Sequence, residues 1–143
     1  MFGSYGNDEF LAHLLNFGSM EDDPLTYEII GAAIAVSKYW GNGLLENVYK
    51  KSLIIKLRKA HFDIQVEAPI PGFFEEVQFD VTFKADIIVN RAVIIEAKAA
   101  KGTAPVFRSQ LLTYMRLSNI PTGLLFNFHE FPFTSNGITR LSL

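Results

Sequence analysis

From Thr26 onward, Ile29, Ile30, Ala33, Ile34 and Ser37 recur at helical spacing, which predicts a helix that stops before the Gly41-Asn42-Gly43 turn. A second helix is predicted from Leu44 to about Ala60, with Leu45, Val48, Tyr49, Leu53, Ile54 and Leu57 inward. Its outer face carries Lys50, Lys51, Lys56, Arg58 and Lys59, readable as a solvated surface or as a phosphate-binding face. The period then changes to two. Phe62–Ile70 reads as a strand ending at Pro69 and Pro71, and Val77–Val89 as a second strand. A β-rich run over Ala92–Ala99 should close a hairpin with it around Asn90-Arg91. Val106–Asn119 returns to helical spacing, Thr122–Phe128 reads as a buried strand, and Gly137–Leu143 as an edge strand. The order ααβββαββ is an α+β fold with a central mixed β-sheet and helices on its faces.

Length and charge refine this picture. The 143 residues suit one domain with a core of its own, and the absence of cysteine excludes disulfides, thiolate metal sites and a cysteine nucleophile. The net charge of −2 hides an asymmetry: residues 1–30 hold six acids and no Lys or Arg, while the rest carries 13 basic and 9 acidic side chains. Residues 1–25 are therefore read as an acidic N-terminal appendage, with a short helix at Asp8–Phe17, and 26–143 as the folded domain. A mildly cationic body admits a polyanionic partner without demanding one. The longest apolar run, Ile29 to Val36, is 8 residues, which is too short to span a membrane, and no signal peptide is visible. A cytoplasmic protein is expected.

The informative positions are polar residues that interrupt apolar elements. Asp86 lies between Ala85 and Ile87-Ile88-Val89, and Glu96 and Lys98 interrupt Val93-Ile94-Ile95 and Ala97 on one strand face. A three-residue hairpin loop over 90–92 would set Asp86 opposite Glu96; a two-residue loop would split them onto opposite faces. Converging carboxylates repel unless a cation lies between them, and oxygen ligands suit Mg²⁺ or Mn²⁺. Lys98 beside such an ion could orient an attacking water or neutralise a phosphate. The competing reading is a cross-strand ion pair on a solvated sheet. Gln110 and Tyr114 are neighbours at i,i+4 on the following helix, and Glu46 sits in the first turn of the second helix, where an acid also suits the helix dipole.

Together these segments resemble a known group. GLLENVY (43–49), FKADIIV (83–89), IIEAKA (94–99), QLLTY (110–114) and GLLFNF (123–128) are similar, in order, to the GxxExxY protein family, grouped with the PD-(D/E)xK nuclease superfamily in its QxxxY branch. The resemblance implies a restriction-endonuclease-like core and a Mg²⁺- or Mn²⁺-dependent nuclease acting on nucleic acid, DNA above RNA, and leaving a 5′-phosphate. It implies Asp86, Glu96 and the Ala97 carbonyl as metal ligands, with Glu46 completing the cluster directly or through water. Lys98 would orient the water, and Gln110 and Tyr114 would position phosphate or the lysine. Tyr49 would pack or orient its helix. Ala85 stands where the superfamily often has proline.

Substrate would be drawn by Lys50, Lys51, Lys101, Arg108 and Arg116. Two other readings of the same residues are a catalytically silent nuclease-fold module for binding or dimerisation, and a hydrolase of another phosphate ester. His13, His61 and His129 have no ligand spacing and are read as surface or capping residues. Tyr39 and Trp40 are expected to plug the core. The aromatic stretch Phe126–Phe133 is expected to pack at a strand end, with a homodimer surface as the second reading.

Overall fold

The computed structural model describes residues 23–102 and 105–143. The helix expected at Asp8–Phe17, most of the acidic leader and His13 lie outside the described residues. The first helix, α1 (Pro24–Trp40), starts two residues before the expected Thr26. Asp23 caps it by accepting a hydrogen bond from the Thr26 amide at 3.1 Å, and Pro24 stands at the first turn, where its missing N–H costs nothing. Asp23–Leu25, assigned above to the leader, therefore cap and open α1. Asp23 also pairs with Arg140 at 2.7 Å.

Gly41 and Gly43, with φ of 70° and 98°, turn the chain into α2 (Glu46–Lys59). Tyr49 holds that turn. It is fully buried, stacks on Phe128 at 4.7 Å, donates to the Gly41 carbonyl at 2.6 Å and accepts from the Leu44 amide at 3.1 Å. Tyr49→Phe should cost about 1–3 kcal/mol, because two backbone groups of a tight turn lose their partner. Urea denaturation would read it, and an unchanged midpoint would mean that the turn is held otherwise.

A five-stranded sheet follows in the order β1 (Ile64–Phe74), β2 (Val77–Val89), β3 (Val93–Lys98), β4 (Thr122–Asn127), β5 (Ile138–Ser142). The β3–β4 pair is parallel, connected through α3 (Pro105–Ser118), and the other pairs are antiparallel, so the sheet is mixed. A short α4 (Phe133–Asn136) precedes β5, an element the sequence pattern did not announce. β1 runs through Pro69 and Pro71 instead of ending at them. As an edge strand it loses no ladder bond there, since residues two apart turn the same side of the backbone outward. The apolar positions Val77, Phe79 and Val81 of β2 alternate as a strand should, yet are 68%, 44% and 58% exposed, because the β1–β2 ribbon extends past the helices.

Two cores flank the sheet. On one face α1, α2 and α4 cover Ile87, Val89, Val93, Ile95, Ala97, Leu124 and Phe126. On the other, Leu111, Tyr114 and Met115 of α3 cover Ala68, Ile70, Ala85, Ile88, Ile94 and Leu125. Phe126, Phe128 and Phe133 pack within the first core, the last two stacked at 4.9 Å, and of that stretch only Phe131 is a strongly exposed aromatic. Packing thus consumes the rings that a dimer through this segment would need. The expected core plug is corrected the other way. Tyr39 is 79% and Trp40 43% exposed, because α1 ends beyond the layer and Trp40 donates to Ser52 at 2.8 Å.

Candidate active site

The β2–β3 register pairs Ile87 with Ile95, Ile88 with Ile94 and Val89 with Val93 across a three-residue loop over 90–92. Asn90 and Arg91 take left-handed conformations there, with φ of 51° and 53°. Extending that register by one step sets Asp86 opposite Glu96. Here the strands are joined by side chains in place of backbone pairs. Glu96 Oε1 accepts from the Asp86 amide at 2.9 Å, and Asp86 Oδ2 accepts from the Ala97 amide at 2.9 Å.

The break in the ladder coincides with a change of face. Simple alternation would put Ala85 and Ile87 on one side of β2, but they lie in opposite cores, as do Val66 and Ala68 of β1. Between them lie Asp86 and Glu67, opposed by the β1–β2 register, and Glu67 takes a left-handed φ of 54°. Three acids on three adjacent strands, Glu67, Asp86 and Glu96, thus stand in one row where the sheet passes from one layer to the other.

Two lysines serve the three acids. Lys50, 7% exposed on α2, donates to Asp86 Oδ1 at 3.1 Å and is also hydrogen-bonded to Glu67 Oε1. Lys98 places its ammonium 3.8 Å from Glu96 Oε2 and 5.0 Å from the ring centre of Phe107. Glu96 is 3% exposed, and its pKa is raised from 4.5 to about 7. Burial is the main cause and the Asp86 carboxylate the second, with the Asp86 amide, Lys98 and Lys50 opposing. From the other face, Tyr114 has its phenol pKa raised, first by burial and then by the charges of Glu96 and Asp86, against a hydrogen bond with Gln110. Tyr114 of α3, hydrogen-bonded to Gln110, therefore lies near enough to feel both acids.

Glu46 does not join the cluster. It is exposed in the first turn of α2, and Lys50, one helical turn later, is the α2 side chain that reaches the acids. Lys51, Lys101, Arg108 and Arg116 are exposed, as a phosphate-attracting set requires. Lys50 is not part of that set: the reading of it as an outward cation fails because its stem is buried and its ammonium is held by two carboxylates. A groove of about 480 Å³ between α2 and β1 is lined by Asn47, Lys50, Lys51, Arg58, Val66 and Glu67.

Sequence reasoning missed two residues. Glu67 carried no signal, since an outward acid in an alternating edge strand looks ordinary. Asn127 did carry one, being an amide inside GLLFNF, and it is 2% exposed. Its side chain donates to the Ala100 and Gly102 carbonyls at 2.9 and 3.2 Å and accepts from the Ala100 and His129 amides at 3.2 Å. It clamps the chain just after Lys98, whose carbonyl accepts from the Phe128 amide at 2.8 Å.

The donor set can be tested against a metal. Among the described residues no three His, Asp or Glu side chains surround one point. Strands lie ~4.8 Å apart, so an acid row spreads over about twice that distance and one ion meets only two of its members. Asp86, Glu96 and a backbone carbonyl are nevertheless the kind of set that suits Mg²⁺, which takes one or two carboxylates and keeps waters for the rest.

Against this geometry, the family model of the PD-(D/E)XK nuclease superfamily matches residues 23–141. The chain belongs to this superfamily. Its mixed five-stranded sheet and flanking helices are the restriction-endonuclease-like α+β core of PD-(D/E)XK proteins. Comparisons with curated proteins and with solved structures find no match. PD-(D/E)XK membership points to a nuclease-type function and a nucleic-acid substrate. No helix among the described residues is long and apolar enough to cross a membrane.

Proposed function

We propose that the chain is a Mg²⁺- or Mn²⁺-dependent nuclease that hydrolyses phosphodiester bonds of DNA, with Asp86, Glu96 and the Ala97 carbonyl as its metal ligands. It is assigned to the GxxExxY group of the superfamily and to the cytosol. The observation that carries the reading is the juxtaposition of Asp86 and Glu96, each held by the other strand's backbone, with Lys98 beside Glu96. A divalent ion bound there would polarise a phosphodiester oxygen and lower the pKa of a bound water. The chain's own groups do the rest. Lys98, kept close by Glu96 and the face of Phe107, aligns the water and offsets charge developing on the phosphate. Tyr114, with Gln110 bonded to it, presents a neutral hydroxyl to the substrate phosphate, as an ordinary phenol does at neutral pH, and burial and the two acids raise its pKa further. Lys51, Lys101, Arg108 and Arg116 draw the backbone in, so binding is expected to weaken steeply with salt. Glu46 acts at most through water in this arrangement.

The test is hydrolysis of single- and double-stranded DNA with Mg²⁺ or Mn²⁺, with a chelator control. Wild type should cleave, and Lys98→Ala should lose about 10²-fold in rate. Equal rates in wild type and variant would reveal a contaminating nuclease, and no cleavage of either substrate would favour a catalytically silent binding module.

A further inference from the structure

The row of three acids offers two positions for cations, one between Asp86 and Glu96 and one between Glu67 and Asp86. The second is already filled from within the chain. Lys50 arrives from α2, 7% exposed, and its ammonium bonds both Glu67 and Asp86. Glu67 is presented to it by a left-handed residue in an otherwise extended strand, a conformation that costs ~1 kcal/mol or more and persists only where neighbours enforce it. Lys84, largely exposed, also approaches Glu67, at 3.4 Å, but through the other carboxylate oxygen and from the solvent side. Asp86 divides its oxygens likewise: Oδ2 faces the Ala97 amide on β3, and Oδ1 faces Lys50.

We propose that Lys50 is a tethered cation occupying the second of two ion positions, so that this chain takes a single divalent ion. This rests on the metal-binding reading above. A compact ammonium on a flexible stem is suited to stand in for an ion, since it brings charge and several donors but no coordination demand. Glu67 has a specific part in this. By sharing the ammonium it keeps Lys50 from binding Asp86 alone, which leaves Asp86 able to serve the first ion.

The two residues therefore have opposite signs in a binding measurement, which a merely structural ion pair would not produce. With Mn²⁺ as the probe, isothermal titration or electron paramagnetic resonance should count one ion in wild type and two in Lys50→Gln. The double variant Lys50→Gln with Glu67→Gln should return to one. Glu67→Gln alone should bind its single ion roughly fivefold more weakly, because Lys50 then rests wholly on Asp86. One ion in wild type and one in Lys50→Gln, or two in wild type, would overturn the inference and leave the metal reading standing. No ion in any form would overturn the metal reading and the inference together. Should Lys50→Gln fail to fold, Glu67→Gln decides alone: its side chain is about half exposed, and an unchanged affinity would end the proposal.

Discussion

Asp86→Asn should lower DNA cleavage by about 10³-fold or more. Two effects combine. The first is loss of a ligand charge at the position where the proposed ion and Glu96 both need it. The second is local and follows from the hydrogen bonds. Asp86 accepts from the Ala97 amide through Oδ2 and from Lys50 through Oδ1. A carboxamide has one acceptor oxygen, so its NH₂ must face either the amide or the ammonium, donor against donor. Either orientation loosens the junction between β2 and β3, at about 1–3 kcal/mol in stability. Cleavage rate, Mn²⁺ affinity and thermal midpoint should therefore all fall, the rate by far the most. If the Asp86→Asn variant cleaves within tenfold of wild type, Asp86 is not part of the metal site.

The same junction explains how much was legible beforehand. Helix α1 could be placed from its repeat of Ile29, Ile30, Ala33 and Ile34, because that packing pattern is local, whereas its Asp23 cap and Pro24 start were read as part of the leader. The candidate site was legible as three polar residues, Asp86, Glu96 and Lys98, interrupting apolar strands, a pattern that a cross-strand ion pair would also produce. Whether the acids met depended on one residue of loop length at 90–92, which a chain containing Asn90-Arg91 does not settle, because both loop lengths suit it. Lys50 was misread for a different reason. Helical periodicity assigns faces relative to one neighbouring layer, and it put Lys50 with Lys51 on the outside. The sheet changes face at Glu67 and Asp86, so an anionic pocket opens beside α2, and a long side chain can bury its stem while its charge reaches the acids. That pocket is made by tertiary register, and no local window contains it. The prolines of β1 failed as strand breakers for a similar reason: their effect depends on whether the strand is an edge.

Glu96→Gln should be inactive and yet, without metal, more stable than wild type at pH 8, by about 3 kcal/mol at most. The folded protein holds Glu96 at a pKa of about 7 against 4.5 in the ordinary state. Between these values the native state binds more protons than the unfolded one. Stability from this group is therefore fully present below about pH 4.5 and falls as pH rises, until it is gone above about pH 7. At ~1.36 kcal/mol per pH unit the window is worth about 3 kcal/mol. The carboxamide of the Glu96→Gln variant does not titrate, and its oxygen can still accept from the Asp86 amide, so the variant escapes this penalty; the weakened attraction to Lys98 returns a part of it. Urea denaturation with a chelator should show the two proteins converging near pH 5 and separating by pH 8. Adding Mg²⁺ should reverse their order at pH 8, because mass action stabilises only the protein that binds the ion. Parallel pH profiles would mean that Glu96 carries no burial penalty. A burial penalty with no response to Mg²⁺ would mean that the acid pair serves something other than a metal. The geometry favours convergence at low pH and reversal by Mg²⁺, since Asp86 and Glu96 are fixed side by side by the backbone before any ion arrives, and what their repulsion costs the empty fold is the free energy that a bound cation recovers.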